Sequence, residues 1–283
     1  MTTIITHRGL DPSRPGYFLE SSLEAFADQL QRGFGLEFDL QLSKDRQFVV
    51  SHDPTLERFS AGKDTRPIRD LTLAEILALS FNGYHLISLG QLLNMIKAKQ
   101  QSGAISALHL KHTRQNQPDL DLLLRSLDTA DQRLFIIFDL TPKNASYLKA
   151  RDPSLLLAPS VAHPYDIVRF GQAVGGTLIS SEEAIANRHL FDWVWLDEWD
   201  RTDAGGKQKT FYTKEIFAEL RTHGFSIALV TPELHGTSPG LLGGEKHPDA
   251  SPPRRLYSRL AQIASLKPDA ICTDFPDLMR SLV

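Results

Sequence analysis

Two periodicities alternate from one end of this chain to the other. Short apolar or every-second-residue runs are separated by longer stretches in which apolar residues recur every three or four positions, the marks of strands and of amphipathic helices. Thr3 to Thr6 is the first strand run and stops at His7-Arg8-Gly9. Ser21-Ser22-Leu23-Glu24 has capping-box spacing and opens a helix to about Arg32. From Leu36 to Leu42 the alternation is clean, with Leu36, Phe38, Leu40 and Leu42 on one face and Glu37, Asp39 and Gln41 on the other. A short strand over Phe48–Ser51 ends at His52-Asp53, and the stretch after it is irregular to about residue 71. Thr72-x-x-Glu75 and Ser88-x-x-Gln91 repeat the capping box before two further helices. Later strands are predicted near Ala104–Lys111, Leu134–Phe138, Leu155–Ala158, Trp193–Leu196, Ser226–Val230 and Ala270–Thr273. Helical segments between them include Asp119–Asp128, Pro142–Lys149, Lys214–Thr222 and Arg254–Ser265.

Counted this way the chain has eight principal strands, joined by crossovers long enough for parallel pairing. The predicted fold is α/β, a TIM (β/α)8 barrel in one domain over residues 1–283. A doubly wound open sheet is the competing architecture, and no glycine-rich phosphate loop follows the first strand to support it. A net charge of −3 and a pI near 6.4 leave no basic excess to hold nucleic acid. The N-terminus lacks the charged head and long apolar core of a signal peptide, and no apolar run reaches membrane-spanning length. Cys272 is the single cysteine, so no internal disulfide forms, and the expected compartment is the cytoplasm.

Barrel chemistry gathers at the carboxyl ends of the strands. Those ends carry His7 and Arg8, Glu37 and Asp39, His52, His109 and Lys111, then Asp139, Asp197, Glu233 and Asp274. Glu37 and Asp39 lie two apart and face the same way. Two enclosed carboxylates repel and need a cation, and hard oxygen donors suit Mg2+ or Ca2+. His7 and His52 suit general acid and base work near neutral pH. Arg8 and Lys111 suit a phosphate clamp, or a salt bridge to Glu37 or Asp39. Asp139 reads first as a cap for the helix beginning near Thr141. Trp193, Trp195 and Trp199 read as core or pocket packing, with an apolar lip as the alternative.

Several stretches together resemble the glycerophosphodiester phosphodiesterase family, within the phospholipase C-like phosphodiesterases. They are Ile5-Thr6-His7-Arg8-Gly9, Glu20-Ser21-Ser22-Leu23-Glu24-Ala25-Phe26, Gly35-Leu36-Glu37-Phe38-Asp39-Leu40 and Val49-Val50-Ser51-His52-Asp53-Pro54-Thr55-Leu56-Glu57-Arg58. Ile87-Ser88-Leu89-Gly90-Gln91 and Pro268-Asp269-Ala270-Ile271-Cys272-Thr273-Asp274 continue the likeness, which is dense over residues 4–111. The resemblance implies a barrel with a small insertion after the second strand, here roughly residues 53–88. It implies one divalent metal on Glu37 and Asp39, acid/base roles for His7 and His52, and phosphate contacts from Arg8 and Lys111. It also implies cleavage of a small-molecule glycerophosphodiester to an alcohol and glycerol 3-phosphate. The competing expectations are a weakened barrel that only binds a phosphate-bearing ligand, and an enzyme for lysophospholipid-type diesters.

This chain departs from the family pattern in three places. The usual third-strand Glu-x-Lys is His109-Leu110-Lys111, so His109 stands where a metal-ligand glutamate is expected. An imidazole ligand there would weaken Mg2+ or Ca2+ and cost Mn2+ or Zn2+ less, whereas a His109 that only hydrogen-bonds a carboxylate would leave the ion to Glu37 and Asp39. The usual Glu-Asn-Thr is Glu20-Ser21-Ser22, and the tryptophan-bearing end of the seventh strand is replaced by Thr231-Pro232-Glu233-Leu234-His235. A long loop over residues 232–253 is expected to cover the mouth, with Glu233, His235 and Asp197 shaping substrate choice.

Overall fold

The computed structural model describes residues 2–128, 130–199, 205–237, 247, 249–250 and 253–283. Eight strands form a parallel barrel: β1 (Thr3–His7), β2 (Gly35–Leu42), β3 (Ser106–His109), β4 (Phe135–Phe138), β5 (Ser160–Ala162), β6 (Trp193–Asp197), β7 (Ser226–Val230) and β8 (Ala270–Thr273). β1 pairs with both β8 and β2, β2 continues to β3 and β3 to β4. On the other side β5 pairs with β6, β6 with β7 and β7 with β8. The seam between β4 and β5 is closed by a bridge from Ile137 to Leu157, with Ala158 donating to the Ile137 carbonyl.

That seam is where the strand reading shifts. A strand was expected over Leu155–Ala158, but the ladder proper runs over Ser160–Ala162. Pro159 sits between the two parts, and a residue without an N–H interrupts a ladder. Beyond the break, Leu178–Ile179 pairs with the free edge of β5. A second shift occurs at the first helix, Leu23–Gln31. Ser22, not Ser21, caps it by accepting from the Ala25 N–H, while Glu24 reaches out to the His85 N–H. Ser21 adopts a left-handed backbone at φ 58° and donates its N–H to the Arg8 carbonyl.

Side chains alternate between two cores. Ile5, Ala107, Ile136, Ala158, Ala228, Ala270 and Cys272 point into the barrel, where small residues let opposing strands approach. Leu36, Phe38, Leu108, Ile137 and Leu229 point outward against the helices, where Phe26 of the first helix meets them. Each such fully buried large side chain contributes roughly 1.5–3 kcal/mol over its exposed state. Gly35 has a steric reason: a Cβ there would lie 2.0 Å from the Ile105 carbonyl oxygen.

β2 outruns the barrel. Its end, Leu40 to Leu42, pairs antiparallel with Phe48–Val50, which pairs in turn with Ile87–Ser88. The chain between those two short strands packs on its own apolar cluster of Leu56, Ile68, Ile76 and Leu86. This insertion rests beside the barrel mouth and carries His52 to it. Among the described residues no helix is long and apolar enough to cross a membrane.

Candidate active site

Strand register builds the site. His7 pairs with Glu37, and one pleat further on Asp39 pairs with His109, which pairs with Phe138. Paired residues on parallel strands project to the same face, so two rows of polar side chains stack inside the mouth. His7, Arg8, Glu37, His52, His109 and Asp139 line one wall of a pocket at the barrel mouth. Asp39 and Lys111 stand directly behind that wall. Lys111 Nζ lies 3.4 Å from Asp39 Oδ1 and donates to the His52 carbonyl at 2.6 Å. Arg8 sits at φ 52°, a left-handed turn that ends β1; its Nε lies 3.6 Å from Asp39 Oδ2 and its Nη1 3.3 Å from Glu20. Both cations therefore pair with the carboxylates and remain beside the pocket.

Each of the two acid/base histidines has its Nδ1 engaged. His7 Nδ1 lies 2.8 Å from Asp274 Oδ1, and a carboxylate can only accept, so Nδ1 carries the proton and Nε2 is the free ring atom. His52 Nδ1 lies 2.6 Å from Asp53 Oδ1 and 2.8 Å from Arg58 Nη2. Arg58 also holds Asp53 Oδ2 at 2.7 Å and Glu20 Oε1 at 2.9 Å, bracing His52 from the insertion. Glu20, Asp53 and Arg58 all lie in the stretches that carry the family resemblance, but nothing in the sequence joins them into a brace. The adjacency of Asp53 to His52 was its only local signal. Asp274 reads in the sequence simply as a strand-end acid, and its link to His7 spans nearly the whole chain.

Burial pushes His52 down to about 4 and, with Arg8 adding to it, holds His7 well below the ordinary imidazole range. Both stand neutral at pH 7. Burial and the Asp39 charge raise Glu37 above the usual carboxylate range. For Asp39 burial acts upward, but Lys111, His52 and His109 outweigh it and keep the group ionised. Burial would lower His109, yet hydrogen bonds to Asp139 and Asp39 lift it to about 9.

Glu37, Asp39 and His109 can each offer one donor atom, and the three atoms lie within 4.8 Å of one another. Ligand atoms at right angles on a metal with ~2.1 Å bonds are about 3.0 Å apart. His109 Nδ1 and Asp39 Oδ1, at 2.9 Å, have that spacing. Two buried hard oxygens and one partly buried imidazole fit a divalent cation. The opposite wall of the pocket is apolar, formed by Phe138, Val174, Leu178, Trp195, Trp199 and Leu234. Phe138 stacks between His109 and Trp195, at 4.8 and 3.9 Å.

Asp197 and His235 line the same pocket, with Nε2 of the histidine 3.0 Å from the carboxylate. Glu233 lies off the wall: its Oε1 accepts from the Thr231 and Thr273 hydroxyls and from the Asp274 N–H, tying β7 to β8. Of the loop expected over residues 232–253, the first part forms a short helix, Leu234–Thr237, that carries His235. Residues 238–246, 248, 251 and 252 of that loop lie outside the described residues. Asp139 does not cap the next helix. Thr141 does, accepting from the Asn144 N–H, while Asp139 turns back toward His109.

Both the sequence and the fold have known relatives. A glycerophosphodiester phosphodiesterase of Caldanaerobacter subterraneus is 38% identical over 79 residues, which is 28% of this chain and 30% of that relative. The match thus spans under a third of the relative's length. Solved structures extend the likeness to the whole fold. A glycerophosphoryl diester phosphodiesterase of Parabacteroides distasonis superposes with a TM-score of 0.69 at 18% identity, covering 100% of this chain and 87% of that one. An Oleispira antarctica phosphodiesterase, solved with its product sn-glycerol-3-phosphate, gives a TM-score of 0.66 at 16% identity, covering 99% and 96%. The model of the glycerophosphoryl diester phosphodiesterase family matches residues 7–166, more than half of the chain and the whole span that supplies His7 through Asp139. On that match and this barrel, the chain belongs to the glycerophosphoryl diester phosphodiesterase family.

Proposed function

We propose that this chain hydrolyses a phosphodiester with the help of one divalent metal ion, and that its substrate is a glycerophosphodiester yielding an alcohol and glycerol 3-phosphate. One observation carries the reading: His7, His52 and Arg8 share one barrel mouth with the three-donor cluster of Glu37, Asp39 and His109. Glu37, Asp39 and His109 would hold the ion, which supplies charge neutralisation at a phosphoryl oxygen when bound. Arg8, which lines the pocket, and Lys111, which reaches Asp39 behind it, would stabilise negative charge growing on the phosphate. His7 and His52 exchange protons through Nε2, one taking a proton from the nucleophile and the other giving one to the leaving alcohol. The nucleophile is water or a neighbouring hydroxyl of the substrate, and a cyclic phosphate product marks the second route.

A second reading has its own observation. The apolar wall of Trp195, Leu178, Val174 and Leu234 faces the polar one and suits a diester with a larger apolar group, of the lysophospholipid type. A panel of glycerophosphodiesters, lysophospholipids and cyclic phosphates, assayed with product identification, tests both. Release of glycerol 3-phosphate from a glycerophosphodiester supports the first reading. Preference for the acylated substrates supports the second. A folded, metal-supplied protein that binds these compounds and cleaves none is a binder, and the reading fails.

A further inference from the structure

One feature of this mouth that the acid/base and phosphate roles leave unused is Asp139. It is 7% exposed and lines the pocket. Its backbone is held at φ 71°, in the left-handed region that non-glycine residues enter at a cost of about 1–3 kcal/mol. Buried Gln115 fixes that turn by donating to the carbonyls of both Asp139 and Leu110, at 2.6 and 2.7 Å. The following helix has its own cap in Thr141, so the strained turn does not serve the helix. What it does is aim the Asp139 carboxylate at Nε2 of His109, 3.4 Å away. The His109 ring is fixed in the other directions as well, by the stack on Phe138 and by Nδ1 beside Asp39.

We infer that Asp139 and His109 work as one unit toward the metal: Asp139 accepts the Nε2–H, so that Nδ1 is the ligand atom beside Asp39, and the site prefers ions that accept nitrogen. The inference rests on the proposed metal-binding role of this cluster. Its physical basis is general. A histidine ligand needs its second nitrogen protonated and oriented, and a carboxylate there sets the tautomer and strengthens the donor. The strained turn is then part of the adaptation to a histidine at this position. Asp139 is a positioning residue, because it acts on the metal only through His109. The class of ion that fits is Mn2+, Co2+ or Zn2+, for which imidazole is a better donor than for Mg2+ or Ca2+.

The test is metal binding by the full-length protein, read by calorimetry with Mn2+ and Mg2+ and by the visible spectrum of Co2+. Asp139→Asn keeps a residue that tolerates the left-handed backbone and removes the charge. It is expected to weaken Mn2+ and Co2+ binding roughly 10- to 100-fold, with a smaller change for Mg2+. His109→Glu should reverse the ion preference, and Asp139→Asn added to it should cost no further affinity. A purely structural Asp139 would weaken both backgrounds alike. Should the asparagine variant fold poorly, Asp139→Gly removes the carboxylate without backbone strain and is expected to give the same loss. Unchanged Mn2+ affinity in the folded single variant, or an equal loss in both backgrounds, overturns the pairing alone. Failure of the wild type to bind any of these ions overturns the metal-binding reading beneath it, and the pairing with it.

Discussion

His7 and His52 reach the same pocket with different supports, and the difference has consequences when either is removed. His7 is bonded to Asp274, whose side chain is 1% exposed, so His7→Ala leaves a buried carboxylate short of its partner. His52 leans on Asp53 and Arg58, which are 30% and 37% exposed and rehydrate easily. Both alanine variants are expected to lose roughly 10²-fold or more in kcat. Only His7→Ala is expected to lose stability as well, by about 1–3 kcal/mol in denaturant titration. Wild-type turnover in either folded variant would remove that histidine from the chemistry. The sequence pointed to these two residues because both follow a strand and sit beside charged neighbours. It could not show that both nitrogens of His109 meet carboxylates, or that Asp139 turns away from its helix. Those facts depend on the pairing of β2, β3 and β4 and on a left-handed turn that no local spacing announces.

Elements were legible where local chemistry alone decides them. The capping boxes at Thr72 and Ser88 form as spaced, and Pro142–Lys149 and Lys214–Thr222 are helices over their predicted spans. The expected strand at Leu155–Ala158 shifted because Pro159 divides it and the neighbouring strands decide which half is laddered. The contacts that hold first and last elements together were not legible at all. Arg32, just past the first helix, bonds Asp11 at 2.8 Å and Asp277 of the final helix, Pro276–Arg280, at 2.7 Å. Its side chain is 12% exposed and that of Asp11 is 0%. Arg32→Ala is expected to destabilise the fold by about 2 kcal/mol, because among the described residues Asp11 then keeps only Ser13 and Arg14 as partners. None of these three side chains lines the active-site pocket, so kcat should stay within about twofold of wild type. A large fall in kcat at unchanged stability would mean that this brace sets the mouth instead of the seam.

At the scale of the whole molecule, the charge stored at the mouth links metal, pH and stability. His109, raised from 6.5 to about 9, and Glu37, raised by burial and by Asp39, hold protons in the metal-free fold that the unfolded chain would release. A raised folded pKa stabilises fully below the unfolded value and ceases to as pH climbs through the folded one. For His109 that window runs from 6.5 to about 9, and the Glu37 shift acts in the same direction. A metal ion binds the deprotonated donors and gains as protons leave. The rise in Tm on adding Mn2+ should therefore widen between pH 6 and pH 9, and scanning calorimetry at fixed metal excess measures it. A rise that narrows over this range would mean that the ion does not replace these protons.

Because the account rests on a metal-assisted site, its most direct test is to take the metal away and return it. Full-length protein is stripped with chelator, dialysed, and assayed for release of glycerol 3-phosphate from a glycerophosphodiester, before and after adding Mg2+, Ca2+, Mn2+ or Zn2+. The predicted result is turnover that disappears with the metal, returns on its addition, and returns most fully with Mn2+ or Zn2+. Hydrolysis that continues undiminished in the stripped, folded protein would contradict the account.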